Sequence, residues 1–260
     1  MTQRIDLNGD WQLAGFPETP ASAAAPVDPF SSPNPADVPI IAATVPGNVE
    51  LDLERAGTLP DLYYAANIRL LRRYEAYEWW YAREFELPPD AVGQDWDLVC
   101  EGLDTLATVW VNGQEIGRAA NMLIGHRFAV TSALRSGRNR ITVRLGSALN
   151  HARRFSYDAA SSGADFREEG LFIRKAPHVW GWDILPRAVS AGIWRPIYLE
   201  ARPPNAIEQL YFWTVEMHPG GATVGVRWQF RTDIADLDGF SLRFSGASGE
   251  HSFAFEWPAE

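Results

Sequence analysis

The sequence holds a single cysteine among its 260 residues. That excludes an intramolecular disulfide framework and a cysteine-rich zinc site. Basic residues are also in short supply: 23 Lys and Arg face 33 Asp and Glu, for a formal net charge of −10. Surfaces that bind phosphate backbones draw their affinity from basic side chains, so no nucleic-acid partner is expected. No run approaches the ~18–20 apolar residues of a membrane helix. The first ten residues lack the apolar core of a secretory leader, and the Asn-x-Ser/Thr acceptor pattern does not occur. A cytoplasmic protein without membrane contacts is the expectation. His126, His151, His178, His218 and His251 are scattered, with no His-x-x-x-His spacing and no cysteine partner, so no metal site is expected. Phosphate-loop and dinucleotide fingerprints are missing as well, and no cofactor is expected.

What the chain has in abundance is aromatic: 11 Trp, 13 Phe and 8 Tyr. With 46 % hydrophobic and 22 % charged residues the composition is that of a folded chain. The length suits one large domain plus part of another.

Short strand patterns dominate. Leu7, Trp11 and Leu13 share a face after a turn at Asn8-Gly9. Residues 17–46 carry 8 of the 18 prolines and no Lys or Arg, which predicts a surface loop. Asn48 is placed to cap a two-turn helix over 49–56, with Val49 and Leu53 stacked and Gly57 as its stop. From Trp79 the period becomes two, with Tyr81, Phe85 and Leu87 on one side. Asn112-Gly113 between alternating runs fits a type I′ hairpin. In 140–145, Ile141, Val143 and Leu145 face one way and Arg140, Thr142 and Arg144 the other. Residues 147–155 suit a helical turn, 159–169 a polar loop, and 194–201 a further strand. Arg202-Pro203-Pro204-Asn205 reads as a domain boundary. Beyond it, four strand patterns lie within 209–257, fewer than a complete sandwich of ~100 residues needs. The turn Gly246-Ala247-Ser248-Gly249-Glu250 misses a nucleophile elbow by one residue and sits between strands.

One segment concentrates chemistry. Ile173-Arg174-Lys175-Ala176-Pro177-His178-Val179-Trp180-Gly181-Trp182-Asp183 gathers two cations, an imidazole, two indoles and a carboxylate. In extended form, His178, Trp180 and Trp182 would point the same way. A sugar ring packs its C–H faces on aromatic rings, and its hydroxyls need directed hydrogen bonds. An indole beside a carboxylate and a guanidinium meets both needs. The competing readings are structural: Trp180 as core, Lys175 as a solvated cation, and Asp183 satisfying a loop backbone or paired with Arg174. Glu168-Glu169 and Glu84/Glu86 occupy a loop and an exposed strand face, neither of which frames a catalytic carboxylate pair. No catalytic residue is therefore assigned.

Taken in order, several motifs resemble the N-terminal part of glycoside hydrolase family 2, most closely its β-mannosidase branch. They are Leu7-Asn8-Gly9-Asp10-Trp11, Val45-Pro46-Gly47-Asn48-Val49, and Asp61-Leu62-Tyr63-Tyr64-Ala65-Ala66-Asn67 ahead of Trp79-Trp80-Tyr81. Glu101-Gly102-Leu103-Asp104 through Asn112-Gly113 follows, then Asn121-Met122, Gly125-His126-Arg127-Phe128, Arg174-Lys175, Gly181-Trp182-Asp183 and Gly192-Ile193-Trp194-Arg195-Pro196.

The resemblance implies an all-β chain. Residues 1–203 would form a jelly-roll-like (galactose-binding-like) β-sandwich, and 206–260 the start of an incomplete immunoglobulin-like one. It also implies the N-terminal part of a retaining exo-glycosidase acting on a terminal β-mannoside or related sugar. The catalytic glutamates would lie on a barrel that is missing here and would be a packing partner. Trp182 and Asp183, with Arg174, would then face substrate. Ile184-Leu185 stand where the family pattern has Trp-Gly before proline, so a second indole is absent. The alternatives are a stand-alone carbohydrate-binding module and a purely structural accessory domain.

Overall fold

The structure is a computed structural model; it describes residues 3–24, 28–30, 38–158 and 168–258. The chain divides into two compact units, residues 1–202 and 203–260. Among its described residues the first contains twelve strands: β1 (Arg4–Asp6), β2 (Gly9–Pro17), β3 (Val38–Val45), β4 (Tyr77–Leu87), β5 (Trp96–Cys100), β6 (Leu103–Asp104), β7 (Leu106–Val111), β8 (Gln114–Ala119), β9 (His126–Ala129), β10 (Gly137–Gly146), β11 (Gly192–Ile193) and β12 (Ile197–Ala201). Three short helices join them: α1 (Pro20–Ala24), α2 (Val49–Arg55) and α3 (Ala148–Ala152).

A six-stranded sheet in the order β3-β2-β4-β10-β7-β8 faces a four-stranded sheet in the order β1-β12-β5-β9. Between them lies one core. Leu13, Tyr81, Val109, Ile141 and Val143 come from the larger sheet, and Leu98, Cys100, Ile197 and Leu199 from the smaller. The alternation predicted for 140–145 holds on that side, where Ile141, Val143 and Leu145 are fully buried. The opposite face is not left to solvent. Arg144 is buried there, donating to Glu78 at 2.9 Å and to Glu18 at 2.7 Å, while Trp80 stacks on Trp110. The first unit is a jelly-roll-like β-sandwich, and the chain as a whole is all-β.

Two expectations need correction. The proline-rich stretch 17–46 is not wholly a surface loop. Its end forms β3, which pairs with β2 and buries Ala43 and Val45. Strand β3 is the edge of its sheet, where a proline such as Pro39 is tolerated because one side needs no ladder bonds. The strand expected over 194–201 begins only at Ile197, after Pro196. The polar loop expected over 159–169 lies outside the described residues up to 167. From Glu168 to Phe172 the chain makes a 3₁₀ turn.

The local signals translate directly. Asn48 is extended, and its side chain accepts from the Leu51 amide to start α2. Asn112 and Gly113 both take positive φ, 51° and 81°, as a type I′ turn requires. The Asn112 amide then ties the hairpin to its neighbours. Its Nδ2 donates to the Ala133 carbonyl and to Asn139 Oδ1, each at 2.8 Å, and its Oδ1 accepts from the Arg140 amide at 3.0 Å.

In the second unit, β13 (Ala206–His218) pairs with β14 (Gly221–Arg231), and β15 (Ser241–Ser248) with β16 (His251–Pro258). Both pairs are antiparallel hairpins, and Tyr211, Phe212, Val215, Met217 and Trp257 all remain exposed.

Losing the Asn112 network should be costly even though the hairpin tip is at the surface. We expect Asn112→Ala to lower unfolding stability by about 2–3 kcal/mol, the sum of a few hydrogen bonds and partners left unpaired. Gln114→Ala, at an exposed site two residues on, should stay within ~0.5 kcal/mol of the parent. Urea titration compares the two, and equal midpoints would contradict this account.

Candidate functional site

Three separate sequence motifs converge beneath the loop that carries Trp182. The Gly47 and Val49 amides donate to the Ile193 and Ala191 carbonyls, both at 2.9 Å. This close approach needs Gly192, because a Cβ there would lie 2.4 Å from the Gly47 carbonyl oxygen. Strand β11 in turn pairs with β6, so Gly192 lies opposite Asp104. Gly102 leaves room for the Trp194 indole, whose ring would otherwise clash with a Cβ at 2.5 Å. The result is a fixed frame made of 47–50, 102–104 and 190–194.

Lys175 plugs into this frame. It is the only lysine of the chain, and its side chain is fully buried. Its ammonium pairs with Asp104 and donates to the Ser190 carbonyl at 2.7 Å. The expectation of a solvated lysine is therefore overturned: strand pairing of β6 with β11 brings a buried carboxylate to it. Because Lys175 reaches Ser190, both ends of the segment 175–190 are held together. Glu50 lies against the same group. Burial pushes its carboxyl up to about 7, opposed by a backbone amide, the Ser190 hydroxyl and Lys175, and assisted by Asp104.

Above the frame, Pro177–Trp180 forms a 3₁₀ turn and Gly181 takes φ +95°. The segment is therefore not extended, and His178, Trp180 and Trp182 do not share a face. Trp180 is buried with Leu149, Ile173 and Val179 in a small second core. Trp182 is 56 % exposed. Its amide donates to the Leu185 carbonyl at 2.9 Å, and the Leu185 amide returns the bond at 3.1 Å. This tight turn puts Asp183 and Ile184 at its tip.

Asp183 is exposed and, among the described residues, has no hydrogen-bond or ion-pair partner. The alternative pairing with Arg174 is not formed. Arg174 is exposed at the other end of the loop, where its carbonyl accepts from the Met122 amide at 3.0 Å. Trp182 and Asp183 thus stand together, and Arg174 stands apart from the pocket that Trp182 borders.

That pocket has a volume of about 560 Å3 and is lined by Trp180, Trp182, Leu149 and Leu185, with Arg72, Glu75, Arg153, Glu169 and Arg187. Arg187 organises it. Its guanidinium makes a two-pronged contact with Glu75, both bonds 2.8 Å, reaches Glu169 at 3.2 Å, and lies 5.1 Å over the Trp180 ring. Apart from Glu169, weighed above as part of a loop pair, none of these charged residues was flagged from sequence, because they come from four distant segments. Glu169 pairs with Arg187, and Glu84 with Arg138. Among the described residues no group of three His, Cys, Asp or Glu is arranged to hold a metal, and no helix is long and apolar enough to cross a membrane. Burial pushes the Cys100 thiol well up, which keeps it in the unreactive form.

Residues 29–195 match the family described as Glycosyl hydrolase 2 galactose-binding domain-like. The chain belongs to glycoside hydrolase family 2. Among curated relatives of this family 2 chain, a beta-mannosidase B of Thermothelomyces thermophilus is 33 % identical over 216 residues, covering 81 % of the chain and 23 % of the relative. A beta-mannosidase of Mus musculus is 30 % identical over 184 residues, 66 % of the chain and 21 % of the relative. The chain thus spans under a quarter of the length of these relatives. A beta-D-mannosidase structure from Dictyoglomus thermophilum superposes with a TM-score of 0.76 at 22 % identity, covering 98 % of this chain and 29 % of that one. An exo-chitosanase from Amycolatopsis orientalis gives 0.59 at 16 % identity, covering 99 % and 28 %. These two likenesses speak to the fold: a family 2 galactose-binding-like sandwich followed by immunoglobulin-like strands.

The raised Glu50 carboxyl sets a pH signature. The folded state keeps the proton that the unfolded chain releases near 4.5, so this group's contribution is intact below about 4.5 and is lost as pH rises through about 7. Glu50→Gln should therefore gain stability relative to the parent between pH 5 and pH 8, by about 2–3 kcal/mol. Chemical denaturation at the two pH values measures the gain, and a difference that does not change with pH would refute the assignment.

Proposed function

We propose that this chain is the substrate-pocket and packing region of a retaining exo-glycosidase that removes terminal β-linked sugars, with a β-mannoside as the best-fitting class. In this reading it is not catalytic alone. The two catalytic carboxylates lie on a barrel against which the sandwich packs. The tip of the Trp182 turn reaches toward the terminal sugar, where the indole covers a C–H face and the Asp183 carboxylate accepts from adjacent hydroxyls. Arg174, set apart from the turn, is a secondary contact at most.

The observation that carries this is an exposed indole next to an unpaired carboxylate on a turn whose base is clamped by buried charges. A structural role would have paired the carboxylate or buried the ring. Rigid support of exposed groups is what a ligand contact needs, since ordering them on binding then costs little. The beta-mannosidase relatives support the substrate class, and the absent second indole at Ile184-Leu185 leaves a smaller platform than the family pattern provides.

In the full-length protein, Asp183→Ala should reduce kcat/KM for an aryl β-mannoside by about 10- to 100-fold, the scale of a charged hydrogen bond lost to a reacting sugar. The melting temperature should change by less than about 2 °C, because Asp183 has no hydrogen-bond or ion-pair partner among the described residues. Unchanged hydrolysis would exclude the site. A large stability loss with unchanged hydrolysis would favour a structural accessory role.

A further inference from the structure

We propose that the pocket bordered by Trp180, Trp182 and Arg187 is a binding site for a carboxylate-bearing sugar unit. Three guanidinium groups line it, from Arg72, Arg153 and Arg187, against two carboxylates, Glu75 and Glu169. Both carboxylates are engaged by the same partner, Arg187. Arg72 and Arg153 are left with no carboxylate partner among the described residues. The lining thus carries a local excess of positive charge in a chain of net charge −10. Guanidinium groups match a carboxylate in shape as well as charge, through paired N–H donors.

The rest of the wall suits a sugar rather than a simple anion. The exposed Trp182 indole and Leu185 supply apolar surface for a ring face. A neutral sugar would leave Arg72 and Arg153 without a charged partner, and a bare carboxylate would leave the apolar surface of Trp182 and Leu185 uncovered. An acidic sugar answers both.

Asp183 does not line the pocket, so this site stands whether or not the tip of the turn contacts a sugar. The decisive comparison uses methyl β-glucuronide against methyl β-glucoside, which differ only in the carboxylate at C6. Titrated into this chain at low ionic strength and followed by calorimetry or NMR, the glucuronide should bind about tenfold more tightly. The advantage should shrink with added salt, as an ion contact at a partly exposed site does. Arg72→Ala and Arg153→Ala should each remove most of the difference. Arg154→Ala, an exposed neighbour outside the pocket, should not, and Asp183→Ala should leave glucuronide binding intact. Equal affinity for the two glycosides, no binding of either, or loss with Asp183→Ala but not with the arginine variants would overturn the assignment. Loss of mannoside hydrolysis in Asp183→Ala alongside any of these would show that only the pocket, and not the tip, had been misread.

Discussion

The buried contact between Lys175 and Asp104 is the constraint on which the functional face depends. A lysine ammonium out of water is costly unless it is paired and hydrogen-bonded, and removing one partner of such a pair typically costs 3–5 kcal/mol. Here the cost is offset by Asp104, held on β6, and by the Ser190 carbonyl at the far end of the loop. Because one ammonium satisfies both, the strand frame and the loop cannot separate without exposing an unpaired charge. The Trp182 turn is therefore placed by an interaction well beneath it. Arg187 repeats the device higher up, tying the descending arm of the loop to Glu75.

Several motifs that are far apart in sequence turn out to be one structural object. Pro46-Gly47-Asn48 starts α2, Gly102-Leu103-Asp104 supplies β6, and Gly192-Ile193-Trp194 supplies β11. Their glycines are needed where backbone meets backbone or an indole lies flat, as at Gly192 and Gly102. A pattern that looks like a family signature thus has a mechanical reading: it builds the socket for Lys175.

The strands and the hairpin were legible because their signals are local. Period-two alternation marks Ile141, Val143 and Leu145, and Asn112-Gly113 admits two positive φ angles in succession. Strand β3 was hidden by its prolines, whose penalty vanishes at a sheet edge. The Trp182-Asp183 pair could be singled out from chemistry and resemblance, but its neighbours could not. His178, Trp180 and Trp182 parted company because Pro177 and Gly181 bend the chain, and the pocket draws on residues 72 to 187. Charge partnerships of that range, such as Arg187 with Glu75, are decided by packing and leave no trace in spacing. The one available hint was compositional: a lone lysine among 22 arginines holds a place that a compact ammonium fills and a planar guanidinium would not.

That singularity has a practical side. Reagents that acylate primary amines find one side-chain target in these 260 residues, Lys175 Nζ. It is sealed while the loop is seated and becomes reachable only when the segment lifts from its frame. The rate of its acylation is then a clock for that local opening, set by the fraction of time the loop spends away from its socket rather than by the stability of the whole sandwich. The protein carries its own reporter at the joint that governs its candidate sugar-facing surface.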